Sequence, residues 1–404
     1  MRLAVVVDTF PRWSERFIAR ELNELLRRGV DLTVFALRKG RLPPGGDPEW
    51  EALLPRLRVL PPVPSTRNIA EALSAVPRLP KAGAWRRLLA VESALGSVGV
   101  LRCSRAHVLS RWLREGGFTR VHAHFANWPS TIAWIAAREV GLPLSLSFHA
   151  RDLFVEAQLM QEKARDAEAL FTCWQLAHEK LVLCPGAETK ACLMPHGLPL
   201  DLFPFRGPPV HQAPLRGGWP LLAAGRFVAK KGFADLLDAL TRPPLVRRAL
   251  TLTILGDGPE RGALQRLVAR RGLGAKVRLR PPETWPDLRR QFSAAALFVA
   301  PYRSGEDGDR DGIPNVVLES FALGVPVVGT NAGGLPEVLN ERTGYPVQAG
   351  DAAALARAIA ACLDDAQGAA EKTRMARKLV EERHDIGRSL EPLVKVLGLP
   401  PACT

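Results

Sequence analysis

The sequence Asp311-Gly-Ile-Pro-Asn-Val-Val-Leu-Glu319 places two carboxylates across a junction between a strand and a helix. The apolar run before it, residues 296–301, is typical of a buried strand, and residues 315–324 have a helical pattern. Pro314 suits the first turn of that helix, where no amide hydrogen is missed. The free N–H groups of residues 312–316 would then point out of the helix start, where the dipole favours a phosphate.

Glu319 lies one helical turn beyond this start. A carboxylate there accepts two hydrogen bonds from a ribose diol well, whereas it would repel a diphosphate. The segment therefore indicates a nucleotide-sugar site. A second interpretation stays open, in which Asp311 is a helix-start carboxylate and Glu319 a solvated helix residue.

A second segment, residues 221–233, reads as an apolar strand followed by glycines and cations ahead of a helix. Its loop contains Gly225, Arg226, Lys230, Lys231 and Gly232. Cations at a turn before a helix start are suited to hold a leaving diphosphate. Cations beside glycines also occur in loops with a purely structural role.

The two segments together resemble the retaining glycosyltransferases of family 4, which have the GT-B fold. The resemblance implies that Asp311 and Glu319 bind the donor sugar and its ribose, and that Arg226, Lys231 and Gly232 hold the diphosphate. The family usually has Glu in place of Asp311, which is one methylene shorter. Residues 253–260, 330–337 and 343–344 resemble further turns of the family. The donor-binding residues expected on this basis are Gly225, Gly232, Gly312, Ile313, Pro314, Asn315 and Glu319, and the expected catalytic residues are His149, Arg226, Lys231 and Asp311.

Two segments in the first half of the chain end probable strands with histidines, at His124 and His149. A lone histidine at such a place is usually a hydrogen-bonded structural residue. The stretch Phe148-His149-Ala150-Arg151-Asp152, however, resembles the family's Phe-His-Gly-x-Asp, whose histidine faces the donor sugar, although Ala150 replaces the glycine. We expect His149 at the reacting centre, with Asp152 and His124 on the acceptor side.

The opening segment, residues 9–17, resembles a subgroup of family 4 enzymes of exopolysaccharide pathways, in which Ser-Glu-Thr-Phe is usual. Here Arg16 occupies the position of the Thr. The segment follows the first strand, so Ser14 and Glu15 are expected to contact the acceptor. The alternative for Ser14 is a helix N-cap.

The 404 residues suit two domains of about 200 residues each. Strands and helices alternate from the first residue and again after residue 220, which predicts an α/β fold of two doubly wound, Rossmann-like domains facing across a cleft. The Pro- and Gly-rich residues 207–220 read as a linker. We expect a first domain over residues 1–206, a nucleotide-sugar domain over 221–382, and a C-terminal helix within 383–404 that crosses back onto the first domain.

The composition, 47% hydrophobic and 24% charged, is that of a folded protein, and no apolar run is long enough to span a membrane. The start resembles a strand and not a signal peptide, and the six scattered cysteines suit a reducing compartment, so we expect a cytoplasmic protein. The net charge of +14 implies an anionic partner. Residues 56–120 hold twelve Lys or Arg and three acids, with Trp85 and Trp112 among them. This fits an anionic membrane surface on the inner face of the cytoplasmic membrane, and equally a solvated, arginine-rich surface.

The resemblance to family 4 implies transfer of a hexose, with retention, from a UDP-sugar or GDP-sugar to a hydroxyl of a glycan or lipid-linked acceptor. No cofactor is expected, and no metal, although Asp307-Gly-Asp309 offers two carboxylates. A nucleotide-sugar 2-epimerase or phosphorylase of the same fold is an alternative. A basic nucleic-acid-binding protein is another, but the sequence has no aromatic stacking platform or recognition motif for nucleic acid. The loop of residues 280–285 is expected near the nucleobase, whose identity the sequence does not reveal.

Overall fold

The computed structural model describes residues 1–42, 47–62, 97–205, 207, 218–305 and 308–400, and for residues 97–103 it describes the backbone. Most of the expected linker, with Asp307 and with Trp85 of the basic stretch, lies outside the described residues. Within them the chain forms two parallel sheets, each with helices packed against it.

The first sheet contains seven strands of the described residues in the order β3-β2-β1-β4-β5-β6-β7. They are β1 Arg2–Phe10, β2 Asp31–Lys39, β3 Leu57–Val59, β4 Arg120–His124, β5 Leu144–Phe148, β6 Ala169–Thr172 and β7 Ala191–Leu193. The centre of β1 is fully buried because helices cover both faces of the sheet. The direction of winding reverses between β1 and β4, so a crevice opens beyond the carboxyl ends of these two strands.

The second sheet contains six described strands in the order β10-β9-β8-β11-β12-β13. They are β8 Trp219–Ala224, β9 Leu250–Leu255, β10 Val277–Arg280, β11 Leu297–Ala300, β12 Val327–Thr330 and β13 Tyr345–Val347. Here the winding reverses between β8 and β11, which pair in parallel. The two motif segments of the sequence follow these two strands, so the sheet topology brings them together at one edge.

The helices of the described residues connect the strands and cover both sheets. They are α1 Arg16–Arg27, α2 Pro48–Glu51, α3 Ser97–Glu115, α4 Trp128–Val140, α5 Arg151–Phe154, α6 Met160–Asp166, α7 Gln175–Val182, α8 Phe233–Leu240, α9 Arg261–Arg270, α10 Trp285–Ala294, α11 Asn315–Leu323, α12 Ala352–Asp364, α13 Ala366–Arg383, α14 Ile386–Ser389 and α15 Glu391–Val396. Helix α1 shows why the pattern is helical: Phe17, Ile18, Leu22 and Leu25 recur at three- and four-residue spacing and are all buried.

The last two helices pack against the first sheet's side of the molecule. Leu390, Leu393 and Val394 share a buried apolar cluster with Val5 of β1 and Leu22 of α1. An ion pair between Arg28 and Glu391, 2.9 Å from Nη1 to Oε1, reinforces the contact. The chain therefore returns to the first sheet after it has completed the second.

Two doubly wound parallel sheets with helices on both faces confirm the predicted fold class. The strands expected near Leu221, Leu252, Val277, Leu297 and Val327 are all present. Among the described helices, none has both the length and the apolar character that crossing a bilayer requires.

Candidate functional site

A cavity of about 210 Å³ lies where the switch point of the second sheet faces the start of α1. We call it the interdomain cavity. The first sheet's side contributes Trp13, Ser14 and Arg16, and the second contributes Ala224, Gly225, Arg226, Lys231, Leu255, Pro282, Glu283, Leu288, Asp311, Gly312, Ile313, Pro314, Asn315, Val316 and Glu319. The structure thus brings the predicted donor-binding residues together, apart from Gly232, which lies directly behind Lys231.

Lys231 and Asp311 form the charged centre of the cavity wall. Lys231 Nζ is 2.7 Å from Asp311 Oδ2, and Lys230 Nζ is 3.2 Å from Asp311 Oδ1. Burial by itself would raise the pKa of Asp311, but the two ammonium groups hold that pKa at about 2. Burial lowers the pKa of Lys231, and Asp311 opposes that shift. Asp311 is therefore an ionised carboxylate that fixes Lys231 at the cavity.

Arg226 offers the cavity a second positive charge. Arg226 lines the cavity and forms no ion pair within 4.0 Å in the described part of the chain, although its charge acts on the more distant Glu15 carboxyl. An unpaired cation beside a paired one leaves attraction for an incoming anion. This arrangement suits the diphosphate role predicted for Arg226.

The start of α11 supplies donors to the same place. Among the described residues, the backbone N–H groups of Gly312, Ile313, Asn315 and Val316 have no hydrogen-bond acceptor. They lie at the positive end of a helix of nine residues whose first turn borders the cavity. Free amides at a helix start bind anions, so amides and cations converge on one anionic group.

Gly232 allows this geometry through its backbone. Its φ is +61°, and a Cβ at this position would lie 1.7 Å from the carbonyl oxygen of Pro301. A side chain here would push the loop that carries Lys231 away from β11. The glycine therefore lets the loop approach close enough for Lys231 to reach Asp311.

Glu319 is buried, with 2% of its surface exposed. The interpretation of this residue as a solvated helix position is therefore wrong. Its Oε1 lies 2.7 Å from Nη1 of Arg20, which comes from α1 on the other side of the cleft. Its Oε2 is also buried and has no hydrogen-bond partner among the described residues. One carboxylate oxygen at the cavity therefore remains available to a hydroxyl donor.

Sequence reasoning missed the group of arginines and acids around Glu319. Arg16 lies 2.8 Å from Glu49 and pairs with Asp47, and its Nη2 donates to the carbonyl of Glu283. Arg20 Nε is 2.7 Å from Glu49 Oε1. These residues are distant in sequence and share no local motif. The expected position of residues 280–285 near the base is compatible with the cavity, since Pro282 and Glu283 line it.

The two predicted histidines, His124 and His149, belong to a buried group of four, which we call the imidazole cluster: His122, His124, His149 and His196. His149 Nε2 is 3.3 Å from His124 Nδ1, and His149 Nδ1 is 3.4 Å from His196 Nε2. Burial lowers the pKa of His122 and of His196 to about 3 and places those of His124 and His149 well below the ordinary value. The cluster is therefore neutral at physiological pH.

His149 does not line the interdomain cavity, since both of its ring nitrogens face other histidines. Its neighbour Asp152 accepts hydrogen bonds from the backbone N–H groups of Ala126 and His149, at 2.7 and 3.1 Å. Burial raises the pKa of Asp152 to about 6, against these hydrogen bonds. These hydrogen bonds of Asp152 fix the loop after β5.

The sequence offered one signal for His196, which was not recognised as part of the site. His124 ends β4, and His149, Cys173 and His196 follow the ends of β5, β6 and β7. Neighbouring parallel strands end at the same edge of a sheet, so these four side chains are expected to lie close together. Phe17 of α1 stacks on His196 with its ring centre 4.0 Å away and closes the cluster.

Ser14 and Glu15 lie at the mouth of the cleft in a 3-10 turn, Trp13–Glu15. The N-cap of α1 is Glu15, and no side chain caps it, so Ser14 is not the N-cap that the alternative reading required. Ser14 lines the cavity, and Glu15 pairs with Arg12 at 2.9 Å. Burial raises the pKa of Glu15 to about 7, although Arg12 opposes the rise.

Among the described residues, one group of side chains has its ligand atoms close enough for a metal ion: His149, Cys173 and His196, within 4.8 Å of one another. The imidazoles already hydrogen-bond to each other, and burial raises the pKa of the Cys173 thiol. The three ligand atoms are close to one another because their side chains pack in the buried cluster.

The structure describes part of the basic stretch, residues 56–120. Residues 63–96, with Trp85, lie outside the described residues. Trp112 packs against Phe35, with ring centres 6.0 Å apart, and the Arg58 guanidinium lies 4.5 Å from its ring centre. This tryptophan is partly buried and packs against the apolar core of the first domain.

Comparison with known proteins shows which proteins this chain is similar to. A family model described as "Glycosyl transferases group 1" matches residues 220–365, which include nearly all of the second sheet. The chain is 25% identical over 419 aligned residues to the putative colanic acid biosynthesis glycosyltransferase WcaL of Escherichia coli K12, covering 98% of this chain and 100% of the relative. It is 31% identical to a D-inositol 3-phosphate glycosyltransferase of Streptomyces avermitilis over 69% of this chain and 66% of the relative.

Among solved structures, Anabaena HepE in complex with UDP-glucose superposes with a TM-score of 0.71 at 16% identity, covering 98% of this chain and 99% of the other. A likeness at this identity shows the fold alone. The fold is GT-B, and the match to the family model together with the full-length relatives supports glycosyltransferase activity.

Proposed function

We propose that the chain transfers a hexose from a UDP-sugar or GDP-sugar to a hydroxyl group of a glycan or lipid-linked acceptor, with retention at the anomeric carbon. The pathway proposed is exopolysaccharide biosynthesis. The observation that carries the proposal is the convergence, in one interdomain cavity, of Arg226, Lys231, the free amides of α11 and the unpartnered oxygen of Glu319.

These groups match the parts of a nucleoside diphosphate. A diphosphate needs cations and N–H donors, and a ribose needs a carboxylate that accepts from its hydroxyls. The cavity has both kinds of group, and they are separated along α11 by one helical turn. Its polar walls are formed before any ligand binds, because Lys231 and Glu319 are each fixed by an ion pair.

Departure of the diphosphate builds negative charge on its oxygens. Arg226, Lys231 and the amides of α11 are the groups that would stabilise this charge, and preorganised charge partners are the largest contribution in many enzymes. The same groups hold the ground-state diphosphate. Their contribution to rate is the part of their attraction that grows as the bond to the sugar breaks.

Retention raises the question of a nucleophile on the protein. Asp311 is bound to two lysines, and Glu319 is bound to Arg20. A carboxylate held by cations is a weak nucleophile, so we propose front-face attack by the acceptor hydroxyl, with the leaving phosphate accepting its proton, and no covalent glycosyl-enzyme.

Relatives and neighbours support the proposed donor and pathway. The relative in Escherichia coli is named for colanic acid biosynthesis, and Anabaena HepE binds UDP-glucose. We propose that no divalent metal takes part, because two cations and a helix start already face the diphosphate position. Association with the inner face of the cytoplasmic membrane is a further proposal, based on the basic stretch.

The experiment is a donor and acceptor panel. The purified chain is incubated with UDP-glucose, UDP-galactose, UDP-N-acetylglucosamine and GDP-mannose, each with lipid-linked glycan acceptors and each without, in the presence and absence of EDTA. Release of UDP or GDP is measured, and the coupling constant of the new anomeric proton is read by NMR. We expect acceptor-dependent release that EDTA does not change, and a product with the anomeric configuration of the donor.

Each part of the proposal can fail separately in this panel. An inverted anomeric proton would contradict retention, and loss of activity with EDTA would contradict metal independence. Conversion of a nucleotide sugar without acceptor would favour the epimerase. High-affinity binding to duplex DNA with a steep salt dependence, and no sugar transfer, would favour the nucleic-acid-binding alternative.

A further inference from the structure

The guanidinium of Arg20 is buried where the two domains meet, with 2% of the residue exposed. Its Nε faces Glu49 of its own domain and its Nη1 faces Glu319 of the other, both at 2.7 Å. The rings of Phe203 and Trp285 lie 5.2 and 5.4 Å from its central carbon. The ion pairs with Glu49 and Glu319 direct the guanidinium at Glu319, while Nη2 has no hydrogen-bond partner among the described residues.

We propose that Arg20 is a positioning residue for nucleotide binding: it holds Oε1 of Glu319 so that Oε2 is presented to the ribose hydroxyls. The inference rests on the proposed function and extends it, because it makes the ribose site a joint product of both domains. Arg20 itself does not line the interdomain cavity, whereas Glu319 does.

The state of the second oxygen is the first argument. Glu319 Oε2 is buried and has no hydrogen-bond partner in the described part of the chain. A buried acceptor without a partner is destabilising, and it persists where a ligand supplies the missing donor. Glu319 lines the interdomain cavity, so we expect a ligand in that cavity to supply the donor.

Charge is the second argument. Burial raises the pKa of Glu319, and Arg20 is the strongest of the groups that oppose the rise. The charged and titratable groups that face Glu319 are Arg20, Arg16, Glu49 and Tyr302. The ionised carboxylate accepts from two hydroxyls, while the protonated one must use an oxygen as donor. Arg20 therefore favours the form of Glu319 that a ribose diol needs.

The anchoring of Arg20 is the third argument. Glu49 on α2 binds Arg20 and Arg16 together, and both arginines are on α1. The position of Arg20 is thus defined by the first domain, whereas Glu319 belongs to the second. Separation of the domains would withdraw Arg20 and leave Glu319 without its cation, so the ribose site depends on the contact between the two domains.

The test compares two nucleotides in calorimetry: UDP or GDP, whichever the wild type binds, and its 2′,3′-dideoxy analogue. The wild type is expected to bind the dideoxy form roughly ten- to a hundredfold more weakly, since charge-assisted hydrogen bonds to the hydroxyls are lost. In Arg20→Met the ratio should fall to about threefold or less. As the pH is lowered, this variant should lose its affinity for the ribonucleotide at a higher pH than the wild type does. Without Arg20, Glu319 takes up a proton more readily.

Arg27→Gln is the matched control. It removes a positive charge from the same helix, but Arg27 is half exposed, and its ion pairs are with Glu24 and Asp201. It should keep the wild-type ratio between the two nucleotides. Glu319→Gln should bind the two nucleotides with nearly equal affinity. The double variant Arg20→Met/Glu319→Gln should show no further change in the ratio of the two affinities, because both changes remove the same interaction.

If folded Arg20→Met keeps the wild-type ratio between its affinities for the two nucleotides, the inference is overturned while the proposed function stands. Absence of binding of UDP and of GDP by the wild type would overturn the proposed function itself. If Arg20→Met does not fold, a crystal structure of the wild type with the diphosphate decides. We expect Arg20 on Oε1 and the ribose on Oε2, and a ribose that has displaced Arg20 or lies away from Glu319 would contradict the inference.

Discussion

The two walls of the cleft differ in charge and in hydration. The second domain presents cations and free amides to the interdomain cavity, and each carboxylate there is paired with a cation. The first domain places behind its surface four imidazoles that burial keeps neutral. The second domain therefore presents its charged groups to the cavity, whereas the imidazole cluster of the first domain lies behind the cavity and stays uncharged. The charges that the first domain brings to the cleft are those of Arg16 and Arg20 on α1, and both arginines are paired with carboxylates.

The same difference separates what each wall contributes to stability. A buried neutral histidine binds fewer protons folded than unfolded below its ordinary pKa, so it destabilises the fold on acidification. On the other wall, the ion pair between Asp311 and the two lysines persists to low pH, since the pKa of Asp311 is held at about 2. The neutral wall is therefore the one that acid disrupts first.

The largest effect is expected from acid. The pKa values of the four imidazoles lie far below 6.5 in the fold, so each removes about 1.4 kcal/mol of unfolding free energy per pH unit as the pH falls below 6.5. His384, whose pKa burial also lowers, adds to this loss, whereas Glu21, Glu15 and Asp152, with pKa values that burial raises to about 8, about 7 and about 6, have the opposite sign in this window. A net of about two protons remains, on the order of 3 kcal/mol per pH unit between pH 6.5 and 5. Urea unfolding at several pH values measures the slope.

One variant and one control show whether the slope comes from the cluster. His122→Gln should reduce the slope by about one proton, because His122 is fully buried between Ser145 and Ser147. His178→Gln, a partly exposed histidine outside the cluster, should leave it unchanged. Equal slopes in wild type and His122→Gln would show that the cluster does not carry the acid sensitivity.

The next effect concerns the charged wall. Lys231→Ala should reduce turnover of sugar transfer by roughly a hundredfold or more, the size seen when one preorganised charge partner is lost. Lys378→Ala removes a lysine that is 64% exposed and pairs with Glu382 on α13, and it should have no effect. Turnover is measured as release of UDP or GDP at saturating donor. Equal turnover in Lys231→Ala and wild type would show that Lys231 takes no part in the reaction.

A smaller effect is expected from the loop behind Lys231. Gly232→Ala adds a Cβ 1.7 Å from the Pro301 carbonyl at a φ of +61°, so we expect a loss of about 2 kcal/mol or more of unfolding free energy and weaker diphosphate binding. Gly29→Ala shares the positive φ, at +78°, but meets nothing within 4 Å. It should lose about 1 kcal/mol through backbone strain alone. Thermal and urea unfolding of both variants separates contact from strain, and equal losses would contradict the close approach at Gly232.

The smallest effect is expected at the mouth of the cleft. Ser14→Ala should change the unfolding free energy by less than about 0.5 kcal/mol, because Ser14 lies in the 3-10 turn and does not cap α1. An N-cap serine would contribute about 1 kcal/mol. Urea unfolding of this variant distinguishes the two, and a loss of 1 kcal/mol or more would restore the capping role.

Sequence reasoning was most successful where chemistry is local. The strand, loop and helix around Lys231 and around Asp311 are each contained in a short segment, so spacing alone indicates how their side chains meet. The fold followed from the same alternation of strands and helices. The pairing of Asp311 with Lys231 itself was not foreseen, because it joins two segments eighty residues apart in sequence.

The first domain's contribution was harder to predict. Arg20 and Glu319 are about three hundred residues apart and meet through the packing of two domains, which no spacing reveals. His196 required the order of strands β4 to β7, and that order is a property of the sheet and not of any segment. The roles assigned to His149, Asp152, Ser14 and Glu15 stay predictions, and the structure adds that His149 faces other histidines.

The most direct measurement of the central claim is calorimetric titration of the wild type with UDP, UMP, GDP and GMP. The account predicts that one diphosphate binds at a single site at least tenfold more tightly than its monophosphate, and that Lys231→Ala abolishes this preference, because Arg226, Lys231 and the start of α11 hold the second phosphate. Absence of binding, or equal binding of the diphosphate and the monophosphate, would contradict it.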